Sequence, residues 1–206
     1  MTPELARLIL AQVCLHACMA GTRLAAPLLA LREGYSPMAV GVLLALFALM
    51  QVFLALPAGR FADRNGLRLP INYSVVAAVI GAGAAVAFPV FPVLCFAALM
   101  TGGATGAASI SLQRHVGRAA KGALHLRQVF SWLAIGPAVS NFIGPFSAGL
   151  LIDHAGPTPG SLVGYRAAFF LMAVLPKALC ICARCSAGWL SVRPFPTSLA
   201  RSVRVC

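Results

Sequence analysis

Six apolar stretches of about twenty residues, each closed by a few polar positions, run along the chain: roughly residues 8–30, 39–58, 71–88, 93–112, 128–152 and 165–183. Apolar and polar positions do not alternate strictly within them, which speaks against the strands of a membrane barrel. About 20 residues rising 1.5 Å each cross about 30 Å of hydrocarbon, and there a helix pairs every backbone N–H and C=O within its own segment. The connectors are short, PVFP at 89–92 being the shortest, so neighbouring helices run antiparallel. The pattern predicts an all-α membrane protein with six transmembrane helices in one bundle over residues 1–183. A basic tail over 184–206, disordered or aberrant, is expected to follow.

Composition agrees: 60% of residues are hydrophobic, 10% are charged, and the mean hydropathy is +0.90, outside the range of soluble domains. The first run carries Arg23 and lacks a small-residue cleavage site, so it reads as a retained helix and not a signal peptide. A net charge of +12 on a soluble protein would point to nucleic acid. Here Arg60, Arg64, Arg68, Arg114, Arg118, Lys121 and Arg127 follow the even-numbered helices, against only Arg32 and Arg166 after the odd-numbered ones. That asymmetry predicts an N-terminus and even-numbered loops in the cytoplasm, with the lipid bilayer as partner and no nucleic acid; the expected location is a bacterial inner (cell) membrane. The basic connector Gln113, Arg114, His115, Arg118 and Lys121 then reads as a solvated loop touching anionic lipid.

Seven cysteines include the cluster CICARC at 180–185, but zinc needs four ligands and no histidine or second pair is near. Cys14, Cys18 and Cys95 fall inside helices, where cysteine packs as a small apolar side chain. His115 and His125 have no carboxylate or cysteine set beside them. No metal, cofactor or enzymatic constellation is expected.

GRFADRNGLR, residues 59–68, is richer than a turn requires. Gly59 and Gly66 permit close approach or left-handed backbone, and Asp63 can pair with arginine or with a helix N-terminus. On spacing alone a solvated turn with topogenic arginines is an equal reading. The wording GxxxDRxG between two apolar helices, however, resembles the loop motif of the major facilitator superfamily of secondary transporters. The matching positions are Gly59, Asp63, Arg64 and Gly66, with Arg68 in the basic tail of the motif and Leu67 departing from the usual arginine. The resemblance implies a cytoplasmic charge cluster that is rearranged during transport. In helix five, Gly144, Pro145, Ala148 and Gly149 fit GPxx[GA]G, similar to a motif of the family's antiporters, which implies export; proline and glycine there also predict a kinked, tightly packed helix. GYRAAF at 164–169 resembles the opening of the family's sixth helix.

The family resemblance implies a three-plus-three inverted repeat. GRFADRNG at 59–66 and GLLIDHAG at 149–156 share GxxxDxxG after helices two and five, which would make Asp153 the repeat mate of Asp63. Inside the helices, His16 and Arg23 lie seven residues apart and share one face. With Gln51 and Asn141 they are the candidates for a cavity that binds a small-molecule substrate. A proton-coupled cycle would need a group titrating near neutral pH, for which His16 is the candidate, packing being its alternative role. The arginine that family members often carry early in helix four is absent, since no basic residue of that helix precedes Arg114. Helix four is instead rich in small residues and should press closely on a neighbour. The family's usual architecture has two six-helix halves. The chain is expected to be the N-terminal one, truncated or frameshifted after about Pro176, inactive alone, and completed by a missing C-terminal half or a second copy. A genuine half-size transporter or a membrane scaffold is the alternative.

Overall fold

A computed structural model of the chain describes residues 3–119 and 123–185. Six helices follow in order: α1 Pro3–Arg32, α2 Pro37–Asn65, α3 Arg68–Ala87, α4 Phe91–Ala119, α5 Ala123–His154 and α6 Leu162–Cys185. No strand occurs among the described residues. Five helices contain segments long and apolar enough to cross a membrane: Ile9–Arg32, Pro37–Arg64, Leu69–Ala87, Phe91–Arg118 and Phe130–His154. Lys121 and residues 186–206, with most of the expected tail, lie outside the described residues.

The helices outrun their apolar cores, which corrects two readings. The polar gap at 59–65 is the last two turns of α2, and residues 113–119, read as a solvated connector, are the end of α4. Leaving the hydrocarbon does not oblige a helix to stop, and RFADRN and LQRHV contain no proline or glycine to end it. α2 stops where the backbone turns left-handed: Gly66 has φ 73° and its N–H bonds to the Ala62 carbonyl at 3.0 Å. Its start is set by Ser36, whose hydroxyl accepts the Ala39 N–H at 3.3 Å, with Pro37 in the first turn. α5 stays helical through both Pro137 and Pro145.

α1 and α4 form the centre of the bundle, with 61% and 50% of their apolar segments buried against 11% for α2. α1 packs along α5 and α6, and α4 along α2 and α3. Alanine fills these seams: Ala25, Ala26, Ala30, Ala82, Ala85, Ala97, Ala98, Ala148 and Ala168 are fully buried around Leu29, Leu43, Phe47, Leu94, Phe169 and Met172. Lipid tails are as apolar as leucine, so association must come from close backbone approach, which such side chains allow. Two glycines mark the closest approaches of a neighbouring backbone. A Cβ on Gly102 would sit 2.5 Å from the Phe47 carbonyl oxygen, and one on Gly144 would sit 2.5 Å from that of Ala17. Buried hydroxyls are satisfied within their own helices: Thr22, Ser74, Thr101 and Thr105 each donate to the carbonyl four residues earlier at 2.7–2.8 Å.

Candidate functional site

α2 and α4 run parallel in strict register. Phe47 meets Gly102, Gln51 meets Gly106 and Gly59 meets Arg114, with the same separation of 55 residues at each level. Following that register to the helix ends brings Asp63 beside Arg114 and Arg118. Arg114 Nη1 donates to one carboxylate oxygen of Asp63, and Arg118 Nη2 donates to the other at 2.7 Å. The two arginines are four residues apart and therefore share a helical face. Arg114 also reaches the Gly59 carbonyl at 3.4 Å, and its guanidinium lies where a side chain on residue 59 would go, 2.9 Å from the position of a Cβ. The absence of a side chain on Gly59 leaves room for the guanidinium beside its backbone. One carboxylate ties the ends of two helices together.

Of the loop-motif residues predicted from sequence, Gly59, Asp63 and Gly66 thus have distinct structural tasks. Arg64 is exposed, and the side chain of Arg68 lies outside the described residues. Sequence reasoning missed Arg114 and Arg118, which it assigned to lipid. Their spacing on an extended α4 was the available signal. The end of α5 is different: Asp153 is exposed and lies beside the adjacent His154, Nδ1 to Oδ2 3.5 Å. Gly149 faces open space, while Ala148 is fully buried and Gly144 makes the close contact with α1.

The four cavity candidates do not all converge. His16 is half-buried between α1 and α4, with Nδ1 3.1 Å from the Gln12 carbonyl oxygen and Nε2 3.3 Å from Ser109 Oγ. Gln51 packs on Gly106, one turn from Ser109 on α4, so His16 and Gln51 approach α4 at adjacent levels. Asn141 is exposed on α5, next to Ser140, whose hydroxyl contacts the Val13 carbonyl at 2.8 Å. Arg23 is exposed two turns along α1 from His16 and makes no ion pair among the described residues. It stands about 21 Å from the Ile9 end and about 14 Å from the Arg32 end of the apolar segment, close to its middle. A cation at that depth is costly to leave without a polar surrounding. The side chains of Cys180, Cys182 and Cys185 lie outside the described residues.

A bundle of long apolar helices agrees with the family comparison. The family model for the Major Facilitator Superfamily matches residues 8–204. The chain belongs to this superfamily. It is an integral membrane protein of a transporter family and not of an enzyme family. No curated protein matches the chain. The six helices fit the N-terminal half of such a transporter.

Proposed function

We infer that the chain is one six-helix half of a secondary transporter that moves a small molecule by alternating access, in the direction of export. The observation that carries this reading is the Asp63–Arg114–Arg118 bridge, a charge cluster at the helix-two end where the loop motif stands. A scaffold would have no use for a charge joint between parallel helices, and an enzyme would need clustered polar catalysts. The export direction draws support from the helix-five motif, whose Gly144 holds α5 against α1.

The packing supports a three-plus-three inverted repeat. Exchanging α1–α3 with α4–α6 carries the α1–α5 contact onto the α4–α2 contact and α1–α6 onto α4–α3. Both long contacts are parallel, and each has a glycine at its tightest point. In this reading Asp63 and the even-numbered loops face the cytoplasm, following the basic residues. Arg23, near the middle of its apolar segment and in no ion pair among the described residues, supports an anionic group on the substrate, with His16 and Gln51, which approach α4 at adjacent levels, as the further cavity candidates and Asn141 standing apart on α5. The exposed apolar faces of α2 (Val52, Phe53, Leu56) and α5 (Phe142, Phe146) support a counterpart unit, a second copy or a separate C-terminal half, beside lipid.

Transport tests the reading. The chain, alone and co-reconstituted with the C-terminal half of a superfamily exporter, is placed in proteoliposomes loaded with a panel of small anions. Anion movement that appears with a counterpart and falls at least tenfold in Asp63→Asn supports it. No movement in any combination, with the protein folded and inserted, overturns it.

A further inference from the structure

The two ring nitrogens of His16 both face oxygen atoms. Nδ1 lies 3.1 Å from the Gln12 carbonyl oxygen, which can only accept, so Nδ1 must carry a hydrogen. Nε2 lies 3.3 Å from Ser109 Oγ, while that hydroxyl is also 2.7 Å from the Thr105 carbonyl oxygen, again an acceptor. Ser109 has one hydrogen and two places to send it. If it goes to Thr105, His16 satisfies both neighbours only as the doubly protonated imidazolium. If it turns to Nε2, the neutral imidazole with its hydrogen on Nδ1 is satisfied instead. The remaining form, neutral with hydrogen on Nε2, sets the Nδ1 lone pair against the Gln12 carbonyl.

We propose that His16 and Ser109 form a proton-binding site between α1 and α4, in which the serine hydroxyl turns from Nε2 to the Thr105 carbonyl as the imidazole takes up a proton. The proton comes from hydronium in the solvent, which leaves as water, and adds to the Nε2 lone pair. Ser109 keeps its own hydrogen and accepts from the new Nε2–H. Release reverses both moves, and neither ring nitrogen of His16 is left unpaired in either state. The assignment of the site as the coupling site rests on the transporter reading; the proton site itself does not.

No carboxylate competes for the proton. The four acidic residues are Glu4, Glu33, Asp63 and Asp153, all in or beyond a terminal turn of a helix. Around His16, α4 presents Ser109 and Thr105, α5 presents Ser140 toward Val13, and α6 presents Met172 toward Gly21, none of them charged. On α1 itself the nearest titratable groups are Cys14 and Cys18, and Arg23 stands about 10 Å further along. The other charged residues of the packed helices are Arg60, Asp63 and Arg64 on α2, Arg68 on α3, Arg114, His115 and Arg118 on α4, Arg114 standing five residues beyond Ser109, Arg127, Asp153 and His154 on α5, and Arg166 and Lys177 on α6.

The test uses the whole chain, labelled with ¹⁵N-histidine, in lipid nanodiscs. The His16 signals are identified by their loss in His16→Gln and followed by NMR from pH 5 to 9. The expected result is a single titration from the Nδ1–H tautomer to the imidazolium. Ser109→Ala should move the midpoint by roughly half a pH unit or more, because charged and neutral hydrogen bonds differ in strength, and Ser109→Thr should restore it. A neutral form protonated on Nε2 overturns the proposal without any variant being needed. So does a Ser109→Ala midpoint equal to that of the wild type. Because transport is not read, the transporter reading can fail while this site stands, and the reverse.

Discussion

Replacing Asp63 by asparagine removes the one carboxylate between Arg114 and Arg118 while keeping the side chain's size. The Asp63 side chain is 32% exposed and its partners are 45% and 64% exposed, so both pairs are screened. Exposed ion pairs contribute about 0.2–1 kcal/mol each, and good geometry with two charge-assisted bonds puts these near the upper end. Loss of both, with two guanidinium groups left facing each other, should cost about 1–2 kcal/mol. The assay is reversible unfolding of the purified chain in mixed micelles titrated with dodecyl sulfate. It is run as a double-mutant cycle with Asp63→Asn, Arg114→Gln and the pair. A coupling of about 0.5–1 kcal/mol is expected for Asp63 with Arg114, and less for the more exposed Arg118. Raising salt to about 1 M, where the Debye length is about 3 Å, should shrink both. Coupling indistinguishable from zero at low salt would refute the bridge as a joint between α2 and α4.

Two further outcomes bear on the packing and the topology. Gly144→Ala places a Cβ 2.5 Å from a backbone oxygen of α1, so it should destabilise the chain by about 1–3 kcal/mol in the same unfolding assay, whereas Gly149→Ala, facing open space, should leave stability unchanged or raise it. With the native cysteines replaced, single cysteines at Asp63 and Arg118 should react with an impermeant maleimide from one side of the membrane and a cysteine at Tyr35 from the other. Labelling of Asp63 and Arg118 from opposite sides would dismantle the helix order.

Hydropathy made the six helices legible, because the hydrocarbon core tolerates little else and its thickness fixes the length. Helix ends were not legible, since α2 and α4 continue into water on residues whose polarity reads as loop. That error concealed the bridge. Asp63 stood out as an acid among arginines, yet its partners lie 51 and 55 residues away and look like connector. Gly59 was marked for close approach, and the approaching group was unforeseeable without the α2–α4 register. The pairing of His16 with Arg23 on one face followed from helical period, whereas the contact of His16 with Ser109, 93 residues on, is a product of tertiary packing.

The distribution of charge explains how the bundle can be held together by so few acids. Sixteen cations face four carboxylates, and none of the four lies in the middle of a helix. Inside the hydrocarbon, association therefore rests on small residues and on a few hydroxyl contacts such as Ser140 to the Val13 carbonyl and Ser109 to His16, a surface that can slide without breaking ion pairs. At the far ends of α1, α4 and α6 the contacts are aromatic: Arg32 lies 5.9 Å from the centre of the Tyr165 ring, and Tyr35 stacks on Phe91 at 4.7 Å. Among the described residues, only the end of α2 and α4 carries a carboxylate shared between two arginines. Among the described residues, the α2–α4 pair is pinned by charge at one end and by glycine contact in the middle, so motion within the bundle should be resisted most along that pair.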